Sequence, residues 1–301
     1  MQTRRALLKL ALLAPAVLRA SATAVPDLLA ASIDRIRPLF QPKGPVEEGD
    51  WLESHQEPGQ TYAQFRAITR VPAVDNYSAL RVVPIGPLTA GQKQVLGIVT
   101  DFLKPFFGLT LVLDPAVPLS DVPESAQRIQ YYQGPTQLLT THLLNETLME
   151  RRQPKDAAVL GITASDLWPG PGWNFVFGQA SLKERVGVWS MARNGDADER
   201  PAMRKICAMR TVMTATHETG HMFGIRHCTK YQCGMNGSNS VEERDRQPLE
   251  FCPECQPKLW WTLKLDPLAR SQALERVARR YGFDHVAADL AKQTTALRTR
   301  T

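Results

Sequence analysis

Past its first residues the 301-residue chain has no run of eighteen apolar residues, so no helical membrane span is expected in the mature chain. It has no internal repeat and no long low-complexity segment, which excludes solenoid and fibrous architectures. Cysteine is scarce and late. None precedes Cys207, so no upstream thiolate is available to hold a metal site latent. An excess of charge of one sign is also lacking. Residues 1–22 hold Arg4, Arg5, Lys9 and Arg19 and no acid; without them the 36 basic and 30 acidic residues become 32 against 30, a net charge of +2. A nearly neutral chain has no strong steering field for phosphate, and nucleic acid is not expected as a partner. Arg270, Arg276, Arg279, Arg280, Lys292, Arg298 and Arg300 read as a solvated helix face with a frayed tail. What remains, 43% hydrophobic and 22% charged, is the composition of a globular chain, and its 22 prolines point to fixed loops.

The first 22 residues read as an address. A basic start, an apolar stretch from Ala6 to Val17 and small residues at Ala20, Ala22 and Ala24 have the layout of a cleaved export signal. Thr3-Arg4-Arg5 followed by Ala6-Leu7-Leu8-Lys9 is twin-arginine-like, a route that exports folded proteins with metal already loaded. The expected location is exported or periplasmic; the alternatives are a mitochondrial or a cytoplasmic protein.

Four regions are expected: a signal over 1–22, a proline-broken N-terminal extension over 23–77, a catalytic domain over 78–265 and a C-terminal helical segment over 266–301. In the third, Arg81 to Ile85 reads as a strand and Gly91 to Phe107 as a helix with Val95, Ile98, Phe102 and Leu103 on one face. Leu109–Leu113 is β-rich, Pro135–Met149 reads as helix, and Ala157–Ile162 as a strand buried on both sides. Phe175–Phe177 and Val186–Trp189, joined by a short polar segment, form an antiparallel pair. A helix beginning at Pro201 runs into the metal motif, and Asp266-Pro267 caps another that ends near Gly282. The fold class is therefore α/β, with a mixed sheet and an antiparallel edge strand.

The strongest signal is HETGHMFGIRH, from His217 to His227. On a helix, His217 and His221 project from one face and can share a metal. Glu218 lies one position round, beside the metal's open side, where it can serve as general base. Gly224 permits the positive φ that ends the helix and returns His227 as third ligand. Three neutral histidines leave a zinc position open for water, which marks a catalytic site. His55, His142 and His285 are isolated and carry no such pattern. Cys228, Cys233, Cys252 and Cys255 follow as Cys-x4-Cys and Cys-x2-Cys with 18 residues between, a spacing that suits a closed structural zinc. Two disulfides are the alternative in an exported protein, although the short Cys-x2-Cys loop favours metal. A nucleic-acid-binding zinc ribbon is weaker, because basic residues do not crowd the cluster. Cys207 reads as a small buried hydrophobe.

Together HETGHMFGIRHC, Cys233-Gly234-Met235 and Cys252-Pro253-Glu254-Cys255 closely resemble the archaemetzincins, a family of the metzincin clan of zinc peptidases. Further likeness lies in Asp50-Trp51-Leu52, in Trp173 to Ser190 and in the NGSN of 236–239, so the resemblance covers roughly 50–265. It implies a compact metzincin-like domain with a mostly parallel mixed sheet, a long active-site helix and a cleft along an edge strand within Phe175–Ser181. It also implies that Met235 packs beneath the three histidines and that two Zn2+ are bound per chain, one catalytic and one structural. The implied activity is zinc-dependent hydrolysis of peptide or unfolded-protein substrates. Amidase or deacylase action and a non-catalytic zinc-stabilised binding protein are the competing readings. Two features depart from the family: the export signal, and Gly237 where some metzincins carry a tyrosine.

Overall fold

The computed structural model describes residues 29–68, 77–129 and 135–299; the expected signal over 1–22 lies outside them. The N-terminal extension forms three short helices, α1 (Ala30–Ile36), α2 (Trp51–Ser54) and α3 (Tyr62–Ile68), joined by loop. A strand–helix–strand unit follows: β1 (Ala79–Ile85), α4 (Ala90–Phe107) and β2 (Thr110–Leu113). Thr89 starts α4 with a capping box to Gln92, and Gly108 ends it in the left-handed conformation. Next come β3 (Gln127–Ile129), β4 (Thr136–Leu139), one turn of α5 (Thr140–His142), β5 (Asp156–Thr163), β6 (Asp166–Trp168), β7 (Gly178–Ser181) and β8 (Val186–Ser190). The last third is helical: α6 (Pro201–Met222), α7 (Val241–Asp245), α8 (Gln256–Leu263), α9 (Pro267–Arg280) and α10 (Asp284–Arg298).

The main sheet has the order β2-β1-β5-β8-β7, parallel except for β7, which runs antiparallel to β8 at the edge. β5 is buried along its whole length, as its unbroken apolar run requires of a central strand covered on both faces. A second small sheet, β3-β4-β6, lies beyond it. The mixed, mostly parallel α/β architecture with an antiparallel edge and a long helix beneath it is as expected. Among the described residues no helix is long and apolar enough to cross a membrane.

Four local expectations are corrected. Pro135–Met149 begins as strand β4, paired with β3 and β6, and only one turn from Thr140 is α-helical before a π-turn over Leu143–Thr147. The apolar doublets there satisfy helical spacing, but pairing on both sides of β4 decides the backbone. Phe175–Phe177 is not the paired strand either: Val176 makes a single bridge to Leu167, and Gly178–Ser181 pairs with β8. That register is set by the tight turn through Arg185, whose N–H donates to the Ser181 carbonyl. Of the expected frayed tail, Lys292 and Arg298 lie on helix α10, tied down by a Ser271–Thr294 hydroxyl contact of 3.0 Å and a Gln256–Gln293 hydrogen bond of 2.9 Å, while Arg300 lies outside the described residues.

The fourth correction is Arg270. It is buried rather than solvated, pairing through both terminal nitrogens with Glu250 at 2.9 and 3.0 Å and donating from Nε to the Phe106 carbonyl. Leu274, Ala278, Phe283, Ala287 and Leu290 of α9 and α10 lie in the same hydrophobic cluster as β1, α4, β5 and α6. Glu250→Ala would leave the Arg270 guanidinium buried without a counter-ion, and denaturant unfolding should register a loss of about 3–5 kcal/mol. A loss under about 1 kcal/mol would mean the pair behaves as an exposed one.

Candidate active site

Helix α6 carries the motif. Pro201 occupies its first turn, where a missing N–H costs nothing, and the helix runs for 22 residues to Met222. Gly224, at φ +82°, makes the turn the sequence required of it: its N–H donates to the His221 carbonyl and that of Ile225 to the Gly220 carbonyl. Ile225 is then buried, and its own carbonyl accepts from His221 Nδ1 at 2.7 Å. The helix end therefore fixes the second histidine as well as turning the chain toward the third.

The other two imidazoles are held in the same way. His217 Nδ1 donates to the Gly234 carbonyl at 2.9 Å, and His227 Nδ1 donates to the Glu57 carboxylate at 2.9–3.0 Å. One ring nitrogen from each histidine lies within 4.8 Å of the others, and His217 Nε2 and His221 Nε2 are 3.0 Å apart. With every Nδ1 committed as a donor, those two Nε2 atoms present lone pairs to each other. A cation between them removes that repulsion. Nitrogens about 2.0–2.1 Å from a tetrahedral zinc lie roughly 3.3 Å apart, so this donor set fits the ion. Burial, reinforced by the neighbouring imidazoles, holds His217 well below its ordinary range and draws His221 down to about 3, so both are neutral at working pH.

Glu218 faces the same space. Burial pushes its carboxyl up to about 8; the charge of a bound cation acts in the opposite direction. The room for it is made across the cleft, because a Cβ at Gly178, on the edge strand, would come within 2.9 Å of Glu218 Cγ. Helix and edge strand together wall a cavity of about 690 Å³ that contains Glu218 and all three histidines.

The four later cysteines also meet, all buried, with Cys228 Sγ and Cys252 Sγ 3.6 Å apart. That separation is too long for a disulfide and close to the roughly 3.8 Å edge of a zinc tetrathiolate. Hydrogen bonds from the other three thiols pull Cys228 well below the usual thiol range. The backbone N–H groups of Met235 and Cys252 point at Cys233 Sγ, and Lys258, almost fully buried, brings Nζ to 3.8 Å from Cys255 Sγ. Burial holds Cys233, and its thiol neighbours hold Cys255, well above the usual thiol range, so a bound cation is what would draw all four sulfurs to the thiolate form. Cys207 is buried and apart from the group.

Sequence reasoning missed several members. Glu57 and Trp51 come from the N-terminal extension, about 170 residues before the histidine they serve. Trp51 stacks on His55 at 3.8 Å and meets His227 edge-on at 5.2 Å. It also explains Gly237: a Cβ there would lie 2.4 Å from the indole, so the ring fills the space a side chain would need. Met235 is fully buried against Gly220, inside the helix turn that bears the histidines. Lys258 and Arg244 gave no local signal. Only Asp50-Trp51-Leu52, within the resemblance, pointed toward the extension.

A family model described as Peptidase family M54 matches residues 129–260. Archaemetzincin-2 from Homo sapiens is 33% identical over 271 residues, spanning 79% of this chain and 74% of that protein. The chain belongs to the archaemetzincin family. The archaemetzincin of Archaeoglobus fulgidus is 33% identical over 175 residues, 58% of this chain and 96% of its own. A crystal structure of the archaemetzincin from Methanopyrus kandleri superposes with a TM-score of 0.51 at 30% identity, covering 63% of this chain and 97% of that one. As an archaemetzincin the protein is a zinc metallopeptidase, a hydrolase. Glu57→Gln keeps the shape but removes the charge that orients His227, and a chelator-competition titration should show zinc affinity falling about 10–100-fold. Unchanged affinity would remove Glu57 from the site.

Proposed function

We propose that this archaemetzincin hydrolyses peptide bonds at a zinc ion held by His217, His221 and His227, with Glu218 as general base, and that Cys228, Cys233, Cys252 and Cys255 hold a second, structural zinc. The observation that carries the reading is the pinning of all three Nδ1 atoms as donors, which leaves the remaining ring nitrogens converging on one point. Zinc, when bound, supplies Lewis acidity toward the scissile carbonyl and makes a water ligand acidic near neutral pH. The remaining steps belong to the chain. Glu218 takes the proton of the attacking water and hands it to the nitrogen of the departing amine. Gly178, Gln179 and Ala180 of the edge strand line the cavity beside it, where an extended peptide can pair by backbone hydrogen bonds and lie across Glu218.

The leader-like residues 1–22 support export, and the near-neutral charge of the rest supports a substrate other than nucleic acid. Zinc-loaded wild type and Glu218→Gln, given the same unbiased peptide mixture, test the role of the base. The variant should retain its zinc while kcat falls by about two to four decades. Cleavage at the wild-type rate by the variant would contradict the assignment.

A further inference from the structure

The cavity that holds the three histidines extends one helical turn toward the start of α6, and there it meets a buried cation. Arg244, on α7, is only 5% exposed. Its terminal nitrogens donate to Thr214 Oγ1 at 2.9 Å and Asn194 Oδ1 at 2.8 Å, and its Nε, also shut off from solvent, has no partner. Thr214 stands three residues before His217, so the guanidinium sits one turn from that imidazole. Phe177 lies against its face, with Cζ 4.3 Å from the ring centroid.

Both acceptors are neutral, and Asp245, the carboxylate whose charge acts on Arg244, is already engaged elsewhere. Asp245 is bound by Arg210 through contacts of 2.5 to 3.1 Å, so two guanidiniums draw on one acid and, among the described residues, Arg244 has no carboxylate in hydrogen-bond contact. Burial pulls Arg244 down to about 10, which still leaves it protonated at neutral pH. A buried charge without a counter-ion is costly. Bridging two helices through neutral oxygens needs no charge, since an amide could donate the same bonds. The cavity sharpens the contrast. Of the described residues that line it, Arg244 is the one Lys or Arg and Glu218 the one carboxylate.

We propose that Arg244 recognises a carboxylate of the substrate, making this end of the cavity an anion-selective subsite one helical turn from His217. The proposal rests on the peptidase reading of the cavity and deepens it: the favoured peptides present a carboxylate next to the scissile bond. An Asp or Glu side chain and the free carboxylate of a peptide C-terminus offer the same group to the guanidinium fork.

Binding to a turnover-deficient protein separates this from hydrolysis itself. Randomised short peptides are equilibrated with full-length, zinc-loaded Glu218→Gln, and the retained fraction is identified by mass spectrometry. Calorimetry then compares the best ligand with versions in which each acidic side chain becomes its amide or the C-terminus is amidated. One of those changes should weaken binding roughly tenfold or more, as loss of a charge-assisted pair does. Which one does so identifies the source of the carboxylate. The discrimination should vanish in Glu218→Gln/Arg244→Gln and survive in part in Glu218→Gln/Arg244→Lys. Affinity indifferent to every carboxylate, discrimination that persists without Arg244, or no retained peptide would overturn the proposal. The ligand-side comparison needs no change at position 244, so it holds even if Arg244→Gln does not fold. Cleavage by wild type without any preference for a carboxylate would leave the peptidase reading in place and remove this one.

Discussion

The hydrogen bond from His217 Nδ1 to the Gly234 carbonyl joins the active-site helix to the loop that follows it, and much of the site is built outward from that contact. Gly234 is itself held, its N–H donating to the Glu250 carbonyl at 3.0 Å, while the Glu250 side chain is locked by Arg270 of α9. Cys228 N–H donates to the Met235 carbonyl at 2.7 Å, and Asn236 closes the loop with bonds to the carbonyls of Cys228 and Tyr231. One loop thus orients a histidine, delivers another and carries two of the four cysteines. A tetrathiolate zinc beside His227 would hold that loop without competing for the open catalytic position. The histidine cluster and the cysteine cluster are one construction.

The N-terminal extension completes it from the other side. Glu57 orients His227, and Trp51 lies over Gly237 with its backbone N–H donating to the Glu243 carboxylate. Glu243 also accepts from the Asn239 backbone at 2.7 Å, so the extension and the loop after Met235 share one acceptor. Gln60 reaches the Gly224 carbonyl and the Arg226 N–H on either side of the helix-ending turn. The same stretch supplies the carbonyl that receives Lys258 Nζ next to the thiols. Residues 50–60 therefore touch both clusters.

How much of this was legible follows from the range of the forces involved. The histidines, Glu218 and Gly224 could be read because helical periodicity and one positive φ are local facts, written in eleven residues. The cysteines could be read from spacing, and Asp266 as a cap from its neighbours; its side chain does accept from the Ala269 N–H at 2.6 Å. Strand β4 could not, because Leu138, Leu139, Leu143 and Leu144 satisfy a helical pattern and only pairing with β3 and β6 overrides it. Glu57, Arg244 and Lys258 could not either, and Trp51 only through the resemblance. Each acts through a partner far away in the chain or on a face no periodicity marks. Arg270 was misjudged for a related reason: a charge run on an amphipathic helix looks solvated until the one member facing a buried carboxylate is known.

The central claim is that two zinc ions share this loop, one on imidazoles and one on thiolates. X-ray absorption at the zinc edge of the fully loaded protein tests it most directly. The account predicts a composite first shell, with sulfur at about 2.3 Å and nitrogen at about 2.0–2.1 Å, together with the outer-shell scattering of imidazole rings. A shell with sulfur alone, or one with no sulfur, would contradict it.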